Sequence, residues 1–172
     1  MTRVTILVFA VVLASGACTG SSPAAPSVAQ LGGVWNGTAT LSSVSGGECV
    51  GAAIQAAVGS TIGYTVAITQ TGSSMSATVT SKSSGASCSY TGTAGSNSFS
   101  FNATSCQAAN AYGLQCSSGA MRDALLVADA FSGTVAGNTA NGTEAETYNV
   151  VVSGTSSGVA SLTLNSNFTM TR

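Results

Sequence analysis

The residues best suited to chemistry in this chain are three carboxylates. The stretch TEAETYNVVV, residues 143–152, carries two negative charges in a sequence that has very few charged residues. Read as a strand with period two, it puts Glu144 and Glu146 on a face of otherwise buried side chains. Asp129, in the preceding strand, has the same inward phase. Facing carboxylates in a dry interior cannot all stay ionised, so they must share a proton, bind a cation or meet water.

Several functions fit such a group. Paired carboxylates perform glycoside hydrolysis, a cluster can hold a hard cation, and the same groups can anchor the polar end of a ligand. The more frequent explanation is a wet barrel end, or a bulge that turns one glutamate outward. Among the functional interpretations we favour ligand anchoring, with Tyr64, Tyr90 and Tyr148 as further polar contacts, and we expect neither a catalytic residue nor a metal.

Composition excludes other kinds of site. The chain has no histidine, which rules out Ser-His-Asp and Cys-His catalysis. It has no phosphate-binding loop and no dinucleotide fingerprint, so we expect no cofactor. Its four basic residues form no cluster, which argues against a nucleic-acid partner.

The depth of the acids depends on one turn. A turn at residues 137–138 (Gly-Asn) places Glu146 opposite Asp129, halfway along the strands. A turn at residues 141–142 (Asn-Gly) places both glutamates at the rim, and Asn-Gly is the stronger hairpin signal in general. We favour the first turn because it gives longer strands with a better-filled inner face.

Alternation of apolar and polar residues dominates the rest of the chain and predicts half-buried strands. Two-residue turns at 72–73, 84–85 and 95–96 keep the inward phases aligned. They pair Ile68 with Ala77, Val79 with Tyr90, and Tyr90 with Phe101. Residues 48–59 instead follow helical spacing and predict a short helix.

Counting gives eight strands, or nine if residues 112–116 pair. The sequence therefore predicts an all-β protein: a single eight-stranded antiparallel up-and-down barrel with one short helix at its mouth. The first strand and the last lie side by side and close it.

Four cysteines in the barrel segment predict two disulfides. The helix, the turn at 84–85 and the connection 106–121 share one barrel end. We expect Cys49–Cys88 to tie the helix to the mouth, and Cys106–Cys116 to close a local loop. Cys106 falls in the outward phase of its strand, which speaks against a Cys88–Cys106 bridge.

The segment GGVWNG, residues 32–37, resembles the opening of the lipocalin-like (calycin) barrels, which carry Gly-x-Trp at the start of the first strand. Here Gly33 and Trp35 occupy those positions. In that superfamily a basic residue from the last strand packs over the tryptophan. The resemblance implies that Arg172 lies over Trp35 in a cation–π contact.

The first 17 residues form a short basic and apolar leader, too short for a membrane helix. With Cys18 after Ser-Gly-Ala, it resembles a bacterial lipoprotein signal, although Ser15 stands where that family usually has Leu. The resemblance implies a signal peptide at 1–17, lipid on Cys18, a tether at 18–30 and the barrel domain at 31–172. An ordinary secretory signal, which would leave Cys18 as a spare thiol, is the alternative.

Together these features predict an exported, monomeric envelope lipoprotein, anchored by its lipid in the outer membrane and facing the periplasm. Small inward residues such as Gly37, Gly92 and Gly133 should leave space inside the barrel. We therefore expect a non-enzymatic module that binds a small, partly apolar ligand. The alternative is a protein-binding, inhibitor-like or purely structural envelope module.

Overall fold

A computed structural model describes residues 27–47, 49–106, 110–155 and 157–172, with no side-chain description at 52 and 53. Nine strands and one short helix follow in chain order: β1 (Gly33–Gly46), α1 (Ala52–Ala56), β2 (Thr61–Thr71), β3 (Ser74–Ser81), β4 (Ser87–Ala94), β5 (Ser98–Cys106), β6 (Ala111–Gln115), β7 (Met121–Ala136), β8 (Thr139–Val152) and β9 (Gly158–Thr171).

Eight of these strands form the predicted closed antiparallel barrel. Each strand from β1 to β4 pairs with the next, β5 pairs with β7, and β7, β8 and β9 continue the meander until β9 meets β1. The closure leaves no free edge in the barrel wall, which suits a chain whose strands are long and regularly alternating. The predicted all-β architecture is confirmed.

Strand β6, which is not part of the closed wall, and helix α1 lie at the same end of the barrel. Strand β6 pairs antiparallel with the first residues of β7, beyond the closed part of the wall. Helix α1 begins after Gly51 and ends before a turn at Gly59, whose φ of 90° favours glycine. Among the described residues no helix is long and apolar enough to cross a membrane.

Two of the three predicted hairpin registers are displaced. Ile68 faces Ala77 as expected, but Val79 faces Cys88, and Tyr90 faces Ala103. Each partner shifts by two residues, because the β3–β4 turn is a longer loop centred one residue earlier, and the β4–β5 turn is centred one residue later, than a two-residue turn at the glycine. A shift of two preserves the side-chain phase, so the inward faces survive.

Bulges, by contrast, reverse the phase. In β7 the register shifts between Leu126 and Ala128, which leaves Val127 as an extra residue. The inward residues before it are therefore Ala124 and Leu126, and Val127 is 54% exposed. An unbroken alternation counted back from Phe131 would instead turn Leu125 and Val127 inward.

The disulfide prediction is wrong in both pairs: the structure joins Cys49 to Cys116 and Cys88 to Cys106. A register shift between β4 and β5 places one extra residue, Thr104, opposite the step from Ser89 to Tyr90. That bulge moves Cys106 into the phase of Cys88, directly across the strand pair. The expectation that Cys106 points outward assumed an unbroken alternation.

Buried apolar side chains form two groups. The larger fills the barrel around Trp35, Val66, Phe101 and Met170. The smaller lies between the extended ends of β1, β7, β8 and β9, where Cys49–Cys116 packs with Tyr148 and Leu162. Helix α1 contributes Ile54 to this second group, so it covers the extended strands.

Candidate functional site

Four phenylalanines divide the barrel interior. Phe101 and Phe131 stack at 4.7 Å between ring centroids, and Phe168 meets Phe131 edge-on at 5.7 Å. Phe99 contacts all three, at 6.1 to 6.3 Å. This aromatic floor separates the filled end, where Trp35 lies, from the end that carries the disulfides.

The inward glycines make room for rings, not for a large cavity. A Cβ on Gly37 would lie 2.4 Å from the Tyr64 ring, and one on Gly92 would lie 2.6 Å from the Phe101 ring. On β8, a Cβ on Gly142 would approach the Phe168 ring to 2.7 Å. The expectation that small residues leave open space is therefore only partly met, because aromatic side chains occupy much of it.

A cavity of about 210 Å³ remains above the aromatic floor. Ile62, Ser84 and Ala86 lie at its mouth, beside the β3–β4 turn, and Ile62 is 54% exposed. Its walls and base are formed by mainly apolar and aromatic side chains and the acids: Tyr64, Val66, Val79, Ser81, Cys88, Tyr90, Asp129, Phe131, Glu144, Glu146 and Phe168.

Asp129, Glu144 and Glu146 come together in this cavity and are called the acidic trio below. The turn at residues 137–138 is the one the structure adopts, so Asp129 pairs with Glu146 across β7 and β8. One carboxylate oxygen from each residue lies within 4.8 Å of the others. The preferred register is confirmed, and the acids lie well inside the barrel.

Asp129 is the most deeply buried of the trio, with 4% of its surface exposed. Its Oδ2 atom accepts a hydrogen bond from the Tyr90 hydroxyl. Its Oδ1 atom is buried and has no hydrogen-bond partner among the described residues. A buried carboxylate oxygen without a partner is costly, so Oδ1 favours a hydrogen-bond donor that enters the cavity.

Burial raises the pKa of both glutamates. Loss of water contact is the largest cause, followed by the negative charge of Asp129, and together with smaller effects they bring Glu144 to a pKa of about 8 and Glu146 to a pKa of about 7. Burial also raises the pKa of Asp129, against the opposing hydrogen bond from Tyr90. Near neutral pH the empty site therefore holds protons that exposed carboxylates would have released.

Tyr64 and Tyr90, with Ser81 and Ser84, complete the polar lining, whereas Tyr148 belongs to the second buried group and is not part of the lining. The Tyr148 hydroxyl hydrogen-bonds the Glu146 carboxyl, as Tyr90 does Asp129. Burial, followed by the nearby carboxylates, raises the pKa of Tyr64, Tyr90 and Tyr148 above the usual range. All three therefore stay neutral and can donate hydrogen bonds to the acids.

No described residue that lines the cavity is basic. Lys82 donates instead to Asn36 Oδ1 on the exposed side of the sheet, at 3.0 Å. Arg172 lies at the opposite, filled end. The acidic trio thus has hydrogen-bond donors nearby but no positive charge to balance it, and it offers acceptors to a cationic group that enters the cavity.

The Arg172 side chain covers Trp35 as the resemblance implied, with its guanidinium carbon 4.7 Å from the ring centroid. The guanidinium also donates to the carbonyls of Gly32 and Gln30, both at 3.0 Å. The Trp35 indole N–H in turn donates to the Leu31 carbonyl at 2.7 Å. This arrangement closes the filled end, far from the acids.

Some cavity residues were not expected from the sequence. The Cys88–Cys106 disulfide flanks the acids, because the β4–β5 bulge brings Cys106 to the same face as Cys88. Ile62 and Ala86 line the mouth. The inward phase of Ile62 was visible in the alternation of β2, but the position of the mouth was not, because it depends on strand length and turn shape.

Comparisons of the chain with protein-family models, with curated proteins and with solved structures find no match. The likeness to lipocalins therefore rests on the closed eight-stranded barrel and on the contact between Trp35 and Arg172. Cys18 and the leader lie outside the described residues.

Proposed function

We propose that this protein is a non-enzymatic binding barrel that holds one small, partly apolar ligand above the aromatic floor. The observation that carries the proposal is the cavity itself: about 210 Å³, largely apolar, with polar groups concentrated at one point of its wall. That combination of apolar surface and a few convergent polar groups is typical of small-molecule sites.

The volume limits the ligand. The cavity measures about 210 Å³. This lies below the roughly 300–1,000 Å³ of sites for drug-sized molecules. The cavity therefore suits a compact molecule, or the compact end of a ligand that extends through the mouth.

A catalytic role has less support. The two best-placed hydrogen-bond donors, Tyr90 and Tyr148, are each directed at a carboxyl group of the trio. Their raised pKa values keep them from acting as bases near neutral pH. The tyrosines thus serve as hydrogen-bond donors, and we propose binding without a reaction.

The binding proposal is tested with three five-carbon probes: n-pentylamine, 1-pentanol and pentanoate. Each is titrated into ¹⁵N-labelled protein while backbone amide shifts are followed. We expect at least one probe to shift amides of β4, β7 and β8 around the cavity. Absence of cavity-centred shifts for all three probes at millimolar concentration would contradict the proposal.

A matched pair of variants locates the response. Val79→Phe adds a ring to a residue that lines the cavity, and we expect it to abolish the shifts. Val34→Phe adds the same ring at a position that is 59% exposed on β1, and it should leave binding unchanged. Equal binding by both variants would place the probe elsewhere.

We further propose that the barrel is exported and held in the bacterial cell envelope by lipid on Cys18, in the outer membrane facing the periplasm. The leader at residues 1–17 supports this, as do the two disulfides, which persist in oxidising compartments. Mass spectrometry of the mature N-terminus tests it: a diacylated Cys18 is expected, and an unmodified Cys18 or another cleavage site contradicts it.

The alternative is a protein-binding or structural envelope module. Tyr112, 71% exposed, and Met121, 49% exposed, lie on neighbouring parts of β6 and β7 and offer an apolar surface for it. This alternative takes precedence if the cavity binds none of the probes.

A further inference from the structure

We infer that the ligand carries a primary ammonium group, which the acidic trio binds while the hydrocarbon part lies between the apolar walls and the mouth. This inference rests on the proposed binding function and names the ligand class. Three observations carry it: the arrangement of the acids, the unsatisfied oxygen of Asp129, and the character of the remaining walls.

The first observation is the match in number and spacing. A primary ammonium has three N–H donors and no acceptor. The trio offers one oxygen from each of three carboxylates, all within 4.8 Å of one another. A nitrogen between them reaches all three at ordinary hydrogen-bond lengths of about 2.7–3.0 Å.

The second observation is Asp129 Oδ1. It is buried without a partner, while Oδ2 is already occupied by the Tyr90 hydroxyl. This oxygen can therefore accept a hydrogen bond from a donor that enters the cavity. A carboxylate or a phosphate on the ligand would bring further acceptors and negative charge to this point, so an anionic ligand is disfavoured.

The third observation separates an organic ammonium from a metal ion. Hard cations such as Ca²⁺ take six to eight oxygen ligands, commonly including backbone carbonyls and waters. Beyond the trio, the oxygen donors among the described lining side chains are the hydroxyls of two tyrosines and two serines, and the other side chains are apolar or sulfur-containing, including Val66, Val79, Phe131 and Phe168. Apolar walls suit the carbon part of an amine, and the aromatic faces suit a cation.

Charge balance points the same way. No described residue that lines the cavity is basic, so the trio loses its mutual repulsion only by taking up protons or a cation. The titratable groups that face the ammonium position are the trio on β7 and β8, Tyr64 on β2, Tyr90 on β4 and Tyr148 on β8. All the tyrosines are neutral, so an entering ammonium meets no like charge.

The same five-carbon probes test the inference by isothermal titration calorimetry at pH 7.5. We expect n-pentylamine to bind at least tenfold more tightly than 1-pentanol, and pentanoate more weakly than either. If 1-pentanol binds as well as n-pentylamine, or pentanoate binds best, the inference is wrong while the binding proposal stands. If none binds, both fail.

Charge-neutral variants of the acids identify the contacts. Asp129→Asn and Glu144→Gln keep the side-chain shape, and we expect each to weaken n-pentylamine binding about tenfold with little effect on 1-pentanol. Asp123→Asn is the matched control, because it removes one negative charge at a half-buried position outside the cavity lining. If Asp123→Asn weakens n-pentylamine binding equally, the effect reflects only the net charge of the protein, and the inference is wrong.

Titrations with CaCl₂ and MgCl₂ test whether the acidic trio binds a metal ion instead. We expect neither ion at 5 mM to weaken n-pentylamine binding beyond the effect of NaCl at equal ionic strength. Micromolar Ca²⁺ or Mg²⁺ binding that is lost in Asp129→Asn, without amine binding, would assign the trio to a metal instead.

Discussion

At the scale of single residues, the trio is an unusual use of charge. The chain carries five acidic residues in all, and three of them meet in one cavity. A group of this kind is favourable only when something supplies protons or positive charge, because isolated ions are poorly solvated in a protein interior. Tyr90 and Tyr148 supply hydrogen bonds but no positive charge, so the carboxyl groups of the ligand-free trio stay partly protonated near neutral pH.

These retained protons predict that the free energy of unfolding of the ligand-free protein falls as the pH rises. The pKa of Glu144 rises from its ordinary 4.5 to about 8 in the folded state. Between those values the native state binds more protons than the unfolded chain, so the free energy of unfolding falls as pH rises. We expect a decrease of roughly 2–4 kcal/mol between pH 5 and pH 8.5, at about 1.4 kcal/mol per unit of pKa shift.

Urea unfolding measures this, with fluorescence of the single tryptophan, Trp35, as the signal. Glu144→Gln should make the pH dependence shallower, because the variant has no proton to lose there. Asp123→Asn should keep the slope between pH 5 and pH 8.5, since hydrogen bonds, chiefly from the Gly113 N–H, hold the pKa of Asp123 below its usual range. Stability that rises with pH in the unmodified protein would contradict the account.

At the scale of elements, regular alternation was enough to predict the strands and the closure of the barrel. The inward phases of Trp35, Val66 and Phe168 follow directly from period two. The depth of the acids followed from the turn at residues 137–138, because only that turn lets β7 and β8 pair along their full lengths.

Bulges set the limit of this reasoning. One extra residue at Val127 reverses the phase of the first part of β7, and one at Thr104 reverses the end of β5. A bulge has no strong sequence signal in a chain rich in Ser, Thr and Ala, because these side chains tolerate either face. The disulfide pairing was wrong for this reason: it depended on the phase of Cys106.

The observed pairing gives a prediction for the elements. Non-reducing peptide mapping should recover Cys49–Cys116 and Cys88–Cys106. The double variant Cys88→Ser/Cys106→Ser should retain the other bridge with no free thiol in the barrel segment. The bridge spans 18 residues, so its removal should lower the free energy of unfolding by about 3 kcal/mol through the loop-closure entropy of the unfolded chain.

The second bridge provides the comparison. Cys49→Ser/Cys116→Ser opens a span of 67 residues, and the same relation gives about 4 kcal/mol. Free thiols at Cys49 and Cys116 in the first double variant would show that the chain is cross-linked differently from the structure.

At the scale of the whole molecule, the barrel is divided into a filled end and a hollow end. The aromatic floor, the Trp35 core and the covering Arg172 close the first. The Cys88–Cys106 bridge and the mouth at Ile62, Ser84 and Ala86 border the second. The sequence predicted the barrel and the inward acids, but not this division, since ring positions depend on how Gly37, Gly92 and Gly142 pack against their neighbours.

The hollow end holds the cavity of the acidic trio, whose negative charge increases when a cation binds. An ammonium beside the trio favours the ionised carboxylates and lowers their pKa values, so binding near neutral pH expels protons. The number of protons released on binding therefore tests two claims together: that the acidic trio is protonated before binding, and that the ligand is a cation.

The most direct test measures that quantity. n-Pentylamine is titrated calorimetrically at pH 7.5 in phosphate and in HEPES, whose heats of ionisation differ and neither of which carries a primary amine, and the difference in binding enthalpy gives the protons exchanged. We predict a release of roughly half to one proton per amine bound, because Glu144, with a pKa of about 8, is mostly protonated before binding. Binding with no proton release, or with proton uptake, would contradict the central claim that the acidic trio receives the ligand's positive charge.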